Sequence, residues 1–130
     1  MNNEDWKNFF LSCSEVLGKG ASNAANSNSW CSWTTFRRLS EDSGYWCAGL
    51  PNPEDAFECN IGDGGIWVQP FAYADIAHVV IPRKFYWEKI SEQGFESGTK
   101  YQDIDALSAK LSERGINHRK TNLVLEIKLY

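Results

Sequence analysis

The longest apolar stretches of this sequence, such as residues 76–81, run only six residues, far short of the ~20 that a bilayer-spanning helix needs. No membrane span is expected. The N-terminal residues, MNNEDWKNFF, begin acidic and offer neither a basic region nor an apolar core for a cleaved secretion signal, which points to the cytoplasm. The four cysteines, Cys13, Cys31, Cys47 and Cys59, form no CxxC pair and have no histidine at zinc-finger spacing. A structural metal is therefore not expected, and in a reducing compartment the thiols are expected to be reduced and packed. Nor does the chain contain GxSxG, GxxxxGK followed by Ser or Thr, or HExxH, the spacings that mark a nucleophile elbow, a phosphate loop and a zinc protease. GDGG at 62–65 lacks the strand, helix and acidic context of a dinucleotide site, so no cofactor is expected.

What is present is one domain's worth of chain: 130 residues, 42% of them hydrophobic, with 6 Trp, 5 Tyr and 7 Phe. Such a chain buries roughly two thirds of its unfolded surface without help from metals or disulfides. The aromatic load exceeds what a core of this size needs, which leaves rings for a binding surface.

Apolar residues at Trp6, Phe9, Phe10, Cys13, Val16 and Leu17 recur at three- and four-residue steps and predict a helix over 4–17, ended by Gly18 and Gly20. Residues 18–29 are small and polar, and predict an exposed, mobile loop inside the single domain 1–130. Trp30, Trp33, Phe36 and Leu39 predict a second helix capped by Ser29 or Ser32. Strands are expected over 45–50, 56–61 and 65–73, the last two joined across Gly62-Asp63-Gly64-Gly65 as a hairpin. Residues 76–81 are apolar on both faces and predict a central strand stopped by Pro82, whereas 83–101 give no clear signal. Asp103 caps a helix that carries Ile104, Leu107 and Leu111 and ends at Gly115. The C-terminal NLVLEIKLY alternates, with Leu123, Leu125, Ile127 and Leu129 on one face, as a half-buried strand does. No long repeat is visible. The expected class is α+β, an antiparallel or mixed sheet with helices packed on one face.

Charge is the most informative functional feature. The net charge is -4, yet between Glu41 and Asp63 there are six acids, Glu41, Asp42, Glu54, Asp55, Glu58 and Asp63, and no Lys or Arg. Tyr45, Trp46, Leu50 and Phe57 are interleaved with them. Acids with aromatic anchors suit a basic protein partner, because opposite potentials speed encounter and rings supply desolvated contact area; the plainer account is a set of hydrated loops. The same acids argue against direct nucleic-acid binding, which needs clustered Lys and Arg. For catalysis, the candidates are His78 or His118 with Asp75 or Glu88 as general base and carboxylate, against the plainer reading of a satisfied core histidine and a solvated turn. A third class is a ligand-binding domain whose apolar pocket is lined by surplus Trp.

PRKFYWEKI (from Pro82), QDIDALSAKL (from Gln102) and HRKTNLVLEIKLY (from His118) resemble segments of small bacterial proteins found beside toxins, the immunity proteins of contact-dependent growth inhibition. The resemblance covers about the last fifty residues. It implies a cytosolic inhibitor, not an enzyme, that occludes the active or substrate surface of a toxin domain, commonly a nuclease. The partner-binding residues expected are Glu41, Asp42, Trp46, Glu54, Asp55, Glu58 and Asp63, on a face running from Glu41 to Trp67.

Overall fold

The first helix starts at a reciprocal cap: the Asn2 side chain accepts the Asp5 N–H at 2.8 Å, and the Asp5 carboxylate accepts the Asn2 N–H at 3.1 Å. In the computed structural model, which describes all 130 residues, this helix is α1 (Asn3–Leu17). The rest runs β1 (Cys31–Thr35), α2 (Phe36–Glu41), β2 (Trp46–Ala48), β3 (Asn60–Ile61), β4 (Phe71–Ala72), β5 (Ile76–Pro82), β6 (Lys84–Ser91), β7 (Gly94–Tyr101), α3 (Ile104–Glu113), β8 (Arg119–Lys120) and β9 (Val124–Lys128). The fold is α+β, and every strand pairing in it is antiparallel. No helix is long and apolar enough to cross a membrane.

The main sheet has the order β2-β1-β5-β9-β8, which puts the strand that is apolar on both faces in the middle, as expected. Alternation then sorts its side chains. Cys31, Trp33, Val79, Ile81, Leu125 and Ile127 face the core that α1 and α3 cover with Trp6, Phe9, Phe10, Cys13, Ile104, Leu107 and Leu111. The opposite face carries Ser32, His78, Val80, Glu126 and Lys128. The predicted C-terminal strand is shorter than its pattern, so Leu125 and Ile127 are buried while Leu123 and Leu129 are exposed.

Residues 31–35 correct the second-helix expectation. The three-residue step between Trp30 and Trp33 suits one helix face, yet in a strand it places the two rings on opposite sides. Trp30 stacks on Phe85 at 5.8 Å, and Trp33 stacks on Trp67 at 3.8 Å. Thr35 then caps a helix of only six residues by accepting the Arg38 N–H.

The 56–61 and 65–73 strands shrink to the two-residue pair β3–β4, so Gly62 to Gly65 is not a tight hairpin turn. The reason is that 55–62 closes on itself: Ala56 bridges Ile61, the Phe57 N–H donates to Asn60 O, and the Gly62 N–H donates to Asp55 O.

Residues 18–29 are tied down rather than exposed throughout. Gly20, Ser27 and Ser29 are buried, the Gly20 N–H donates to the Asn52 side chain, and Lys100 Nζ donates to the carbonyls of Ala24, Ala25 and Ser27. The region 83–101, which gives no clear signal in sequence, holds a long hairpin, β6–β7, turned at Glu92-Gln93 with Gly94 at φ +110°. Gln102 anchors its base: the buried amide bonds both backbone groups of Trp30 and the Pro82 carbonyl at 2.9–3.0 Å.

All four thiols are free, but only Cys13 and Cys31 are packed; Cys47 and Cys59 are exposed. Burial pushes the Cys13 and Cys31 thiols well above the usual range. A thiol reagent on the native protein is therefore expected to titrate two cysteines quickly and the other two only on unfolding. Four fast thiols would contradict this packing.

Candidate functional site

The acidic segment divides into two places. At the first, the half-buried Trp46 stacks on Trp33 at 6.0 Å and meets the edge of Phe71 at 5.0 Å, with the Arg38 guanidinium 4.2 Å from its ring centre. Trp46 and Phe71 floor a hollow of about 540 Å³ rimmed by Arg37, Arg38, Glu41, Asp42 and Asp75. Its charges are largely answered within α2. Glu41 pairs with Arg37 at 3.0 Å, and Asp42 pairs with Arg38 at 3.3 Å while accepting the Gly44 N–H at 2.8 Å.

At the second place, residues 54–68, the acids behave differently from one another. The Asp55 carboxylate is structural: it accepts the N–H of Asn52 at 3.1 Å and of Ile66 at 3.4 Å, closing the 3-10 turn Pro53–Asp55. Glu54, Glu58 and Asp63 are exposed and make no ion pair. They flank Phe57, 53% exposed, and near Asp63 lies Val68, 68% exposed. Val68 also holds φ +69°, a conformation that a β-branched residue resists. Two backbone bonds, Val68 N–H to Gly65 O and Gly64 N–H to Val68 O, fix it there at 3.0 and 2.9 Å. No hydrogen bond or ion pair joins the Glu41–Asp42–Trp46 group to the Glu54–Asp63 group.

The catalytic candidates acquire different partners from those expected. His78 Nδ1 meets the Tyr45 hydroxyl at 2.7 Å, and its Nε2 faces Glu126 at 3.6 Å. Asp75 lies on the hollow described above, and Glu88 lies on the β6–β7 hairpin beside Tyr86. Tyr45 also meets the Tyr130 hydroxyl at 3.3 Å, and burial followed by that contact pushes its hydroxyl up to about 12. Tyr45, Glu126 and Tyr130 carry no sequence signal as partners of His78, because only cross-strand register, here Thr34 opposite His78 opposite Lys128, brings them together. His78 lines neither the hollow over Trp46 nor the one beside His118. The His78 and Glu126 side chains are only 12% and 13% exposed, and His78 Nε2 is buried without a hydrogen-bond partner, so the chain of hydrogen bonds runs from His78 through Tyr45 to Tyr130 and does not include Glu126.

Burial is the first cause of a lowered pKa at His78, with Glu126 opposing it and Lys128 reinforcing it. The sign for stability follows. As pH falls from 7 the unfolded chain takes up this proton first, near the ordinary imidazole value of ~6.5, so the native state loses ground until His78 itself is protonated. The urea midpoint is expected to fall between pH 7 and 5.5, and to fall less in His78→Gln. Equal slopes in the two proteins would remove this assignment.

His118 has both ring nitrogens engaged. Its Nδ1 lies 2.9 Å from the Ile116 carbonyl, which can only accept, so Nδ1 carries the proton and Nε2 accepts the Ser108 hydroxyl at 2.7 Å. The ring stitches the segment after α3 back onto that helix, at the side of a hollow of about 490 Å³ shared with Asp5, Arg119 and Glu126. No three His, Cys, Asp or Glu side chains converge in a metal-binding group. Of the six tryptophans, Trp6, Trp33 and Trp67 are core residues, and Trp46 alone lines either hollow. Comparison with protein-family models, with curated proteins and with solved structures gives no match.

Proposed function

We propose that this chain is a cytosolic immunity protein that binds a cognate bacterial toxin domain and covers its active or substrate-binding surface. The observation that carries the proposal is the lobe at 54–68: three carboxylates without a cation, around an exposed phenylalanine and an exposed valine held at positive φ. A carboxylate left unanswered in the fold is available to a partner, and apolar side chains beside it supply the area that charge alone does not. Strain at an exposed residue is a further mark of a segment shaped for contact. From residue 39 to residue 82 the chain has no Lys or Arg and seven acids, so the partner's surface is basic. A nuclease fits that description, because its substrate is polyphosphate.

Co-expression of this chain with the toxin domain encoded beside its gene tests the proposal. The expected result is restored growth and a stable complex on co-purification, and a verified pair that neither binds nor protects ends it. The alternative, a small hydrolase or nuclease built on a His and carboxylate pair, draws on His78 and Glu126. That reading predicts hydrolysis by the purified chain that disappears in His78→Ala.

A further inference from the structure

The β6–β7 hairpin buries only one of its side chains, Phe85. Its residues Tyr86, Ile90, Phe95 and Tyr101 are 58–85% exposed, and the register of Ile90 with Phe95, Tyr86 with Thr99 and Lys84 with Tyr101 puts all four on one face. The other face is turned to the body through Phe85, which stacks on Trp30, and through Lys100, which reaches the carbonyls of 24–27. A two-stranded ribbon of this kind is marginal by itself, and its β7 edge is open. Gln102 N–H donates to Arg83 O, which fixes the alternation of the ladder: the backbone groups of Phe95, Ser97, Thr99 and Tyr101 point away from β6. No backbone group of Gly94–Tyr101 bonds outward to any other part of the chain. The β6 side is flanked by the 3-10 turn Ala24–Asn26, whereas no element runs along β7. Nor does β7 carry the proline or bulge that usually blunts such an edge.

We infer that β7 pairs antiparallel with β7 of a second copy of this chain, about a two-fold axis at Gly98. In that register Glu96 of each copy faces Lys100 of the other, Phe95 faces Tyr101, and Ser97 faces Thr99. Opposite charges, aromatic rings and hydroxyls are therefore matched twice each, with no like charges opposed. Alternative axes do worse. Centring on Ser97 puts Glu96 against Gly98, and centring on Thr99 puts it against Gln102. A shift that changes parity turns the apolar face of one copy away from that of the other. The Lys100 ammonium itself is turned to the body, where it donates to the carbonyls of Ala24, Ala25 and Ser27 and pairs with no carboxylate, so Glu96 of the second copy answers its charge through space rather than by a direct hydrogen bond. Gly98 keeps the centre of the seam thin: a Cβ there would stand 3.0 Å from the Trp87 indole that covers it. The pairing is β-strand addition with the same chain as donor and acceptor.

Sedimentation velocity on the full chain between 10 μM and 1 mM tests this. The expected result is a reversible monomer–dimer equilibrium that weakens at least tenfold in Glu96→Lys, which sets lysine against Lys100. Thr99→Pro should weaken it similarly, because it removes an outward N–H and leaves the β6–β7 ladder intact. Glu96→Lys mixed with Lys100→Glu restores both charge pairs and should bring the dimer back. A wild-type chain that stays monomeric at 1 mM would leave the edge to a strand of some other protein and overturn the inference. So would a dimer indifferent to both Glu96→Lys and Thr99→Pro.

Discussion

Trp67→Ala is expected to cost about 3–5 kcal/mol of stability, a large part of the ~5–15 kcal/mol that a domain of this size has available. The Trp67 indole lies flat on Trp33, with ring centres 3.8 Å apart and planes 6° from parallel, and its neighbours Phe10 and Phe71 meet it edge-on at 5.3 and 5.6 Å. Its Nε1–H donates to Gly49 O at 3.1 Å. Truncation therefore opens a cavity between α1 and the sheet and leaves the buried Gly49 carbonyl with only the weak Cys31 thiol donor at 4.0 Å, two separate penalties. Trp67→Phe keeps much of the ring and loses the bond, so it should cost ~1–3 kcal/mol. Trp33→Phe makes the internal contrast: the Trp33 Nε1–H is buried with no acceptor, so removing it deletes an unsatisfied donor as well as ring area. The expected order of denaturant midpoints is Trp33→Phe above Trp67→Phe above Trp67→Ala. A Trp67→Ala protein within ~1 kcal/mol of wild type would show that this stack is not what holds the 62–70 loop to the core.

That stack also explains which parts of the fold could be read in advance. Helices α1 and α3 and strands β5 and β9 each bury a side against one continuous core, so their spacing reports their geometry directly. Strand β1 imitates a helix in sequence because Trp33 within it and Trp30 just before it go to different neighbours, and a three-residue step between large rings suits one helix face when those neighbours are unknown. The hairpin at 84–101 gave no signal for the opposite reason: with apolar residues exposed on one face, burial imposes no pattern on it. Among the acids, their concentration was legible but their employment was not. Arg37 with Glu41 and Arg38 with Asp42 stand at the four-residue step that pairs side chains on a helix, and Asn52-Pro-Glu-Asp55 has the spacing of a reciprocal cap. Recognising these would have separated the three committed acids from Glu54, Glu58 and Asp63. The contact of His78 with Tyr45 and Glu126 needed the order β2-β1-β5-β9, which no local pattern encodes.

That separation sets the largest functional effect expected. Glu54→Lys, Glu58→Lys and Asp63→Lys combined should weaken binding to the cognate toxin domain at least ~100-fold, since each reversal turns an attraction to a basic surface into a repulsion at short range. The fold should tolerate the change, because these side chains make no hydrogen bond or ion pair. Glu41→Gln with Asp42→Asn should weaken binding less than ~10-fold, because each carboxylate already has an arginine one turn before it on α2 and exposed pairs contribute little. Asp55→Asn should lower stability more than affinity, as it disturbs a cap rather than a contact. Titration calorimetry and thermal unfolding on the three proteins distinguish these roles, and raised salt should slow association of wild type more than of the triple variant. A triple variant that binds with wild-type affinity and still protects cells would show that the lobe faces open water in the complex.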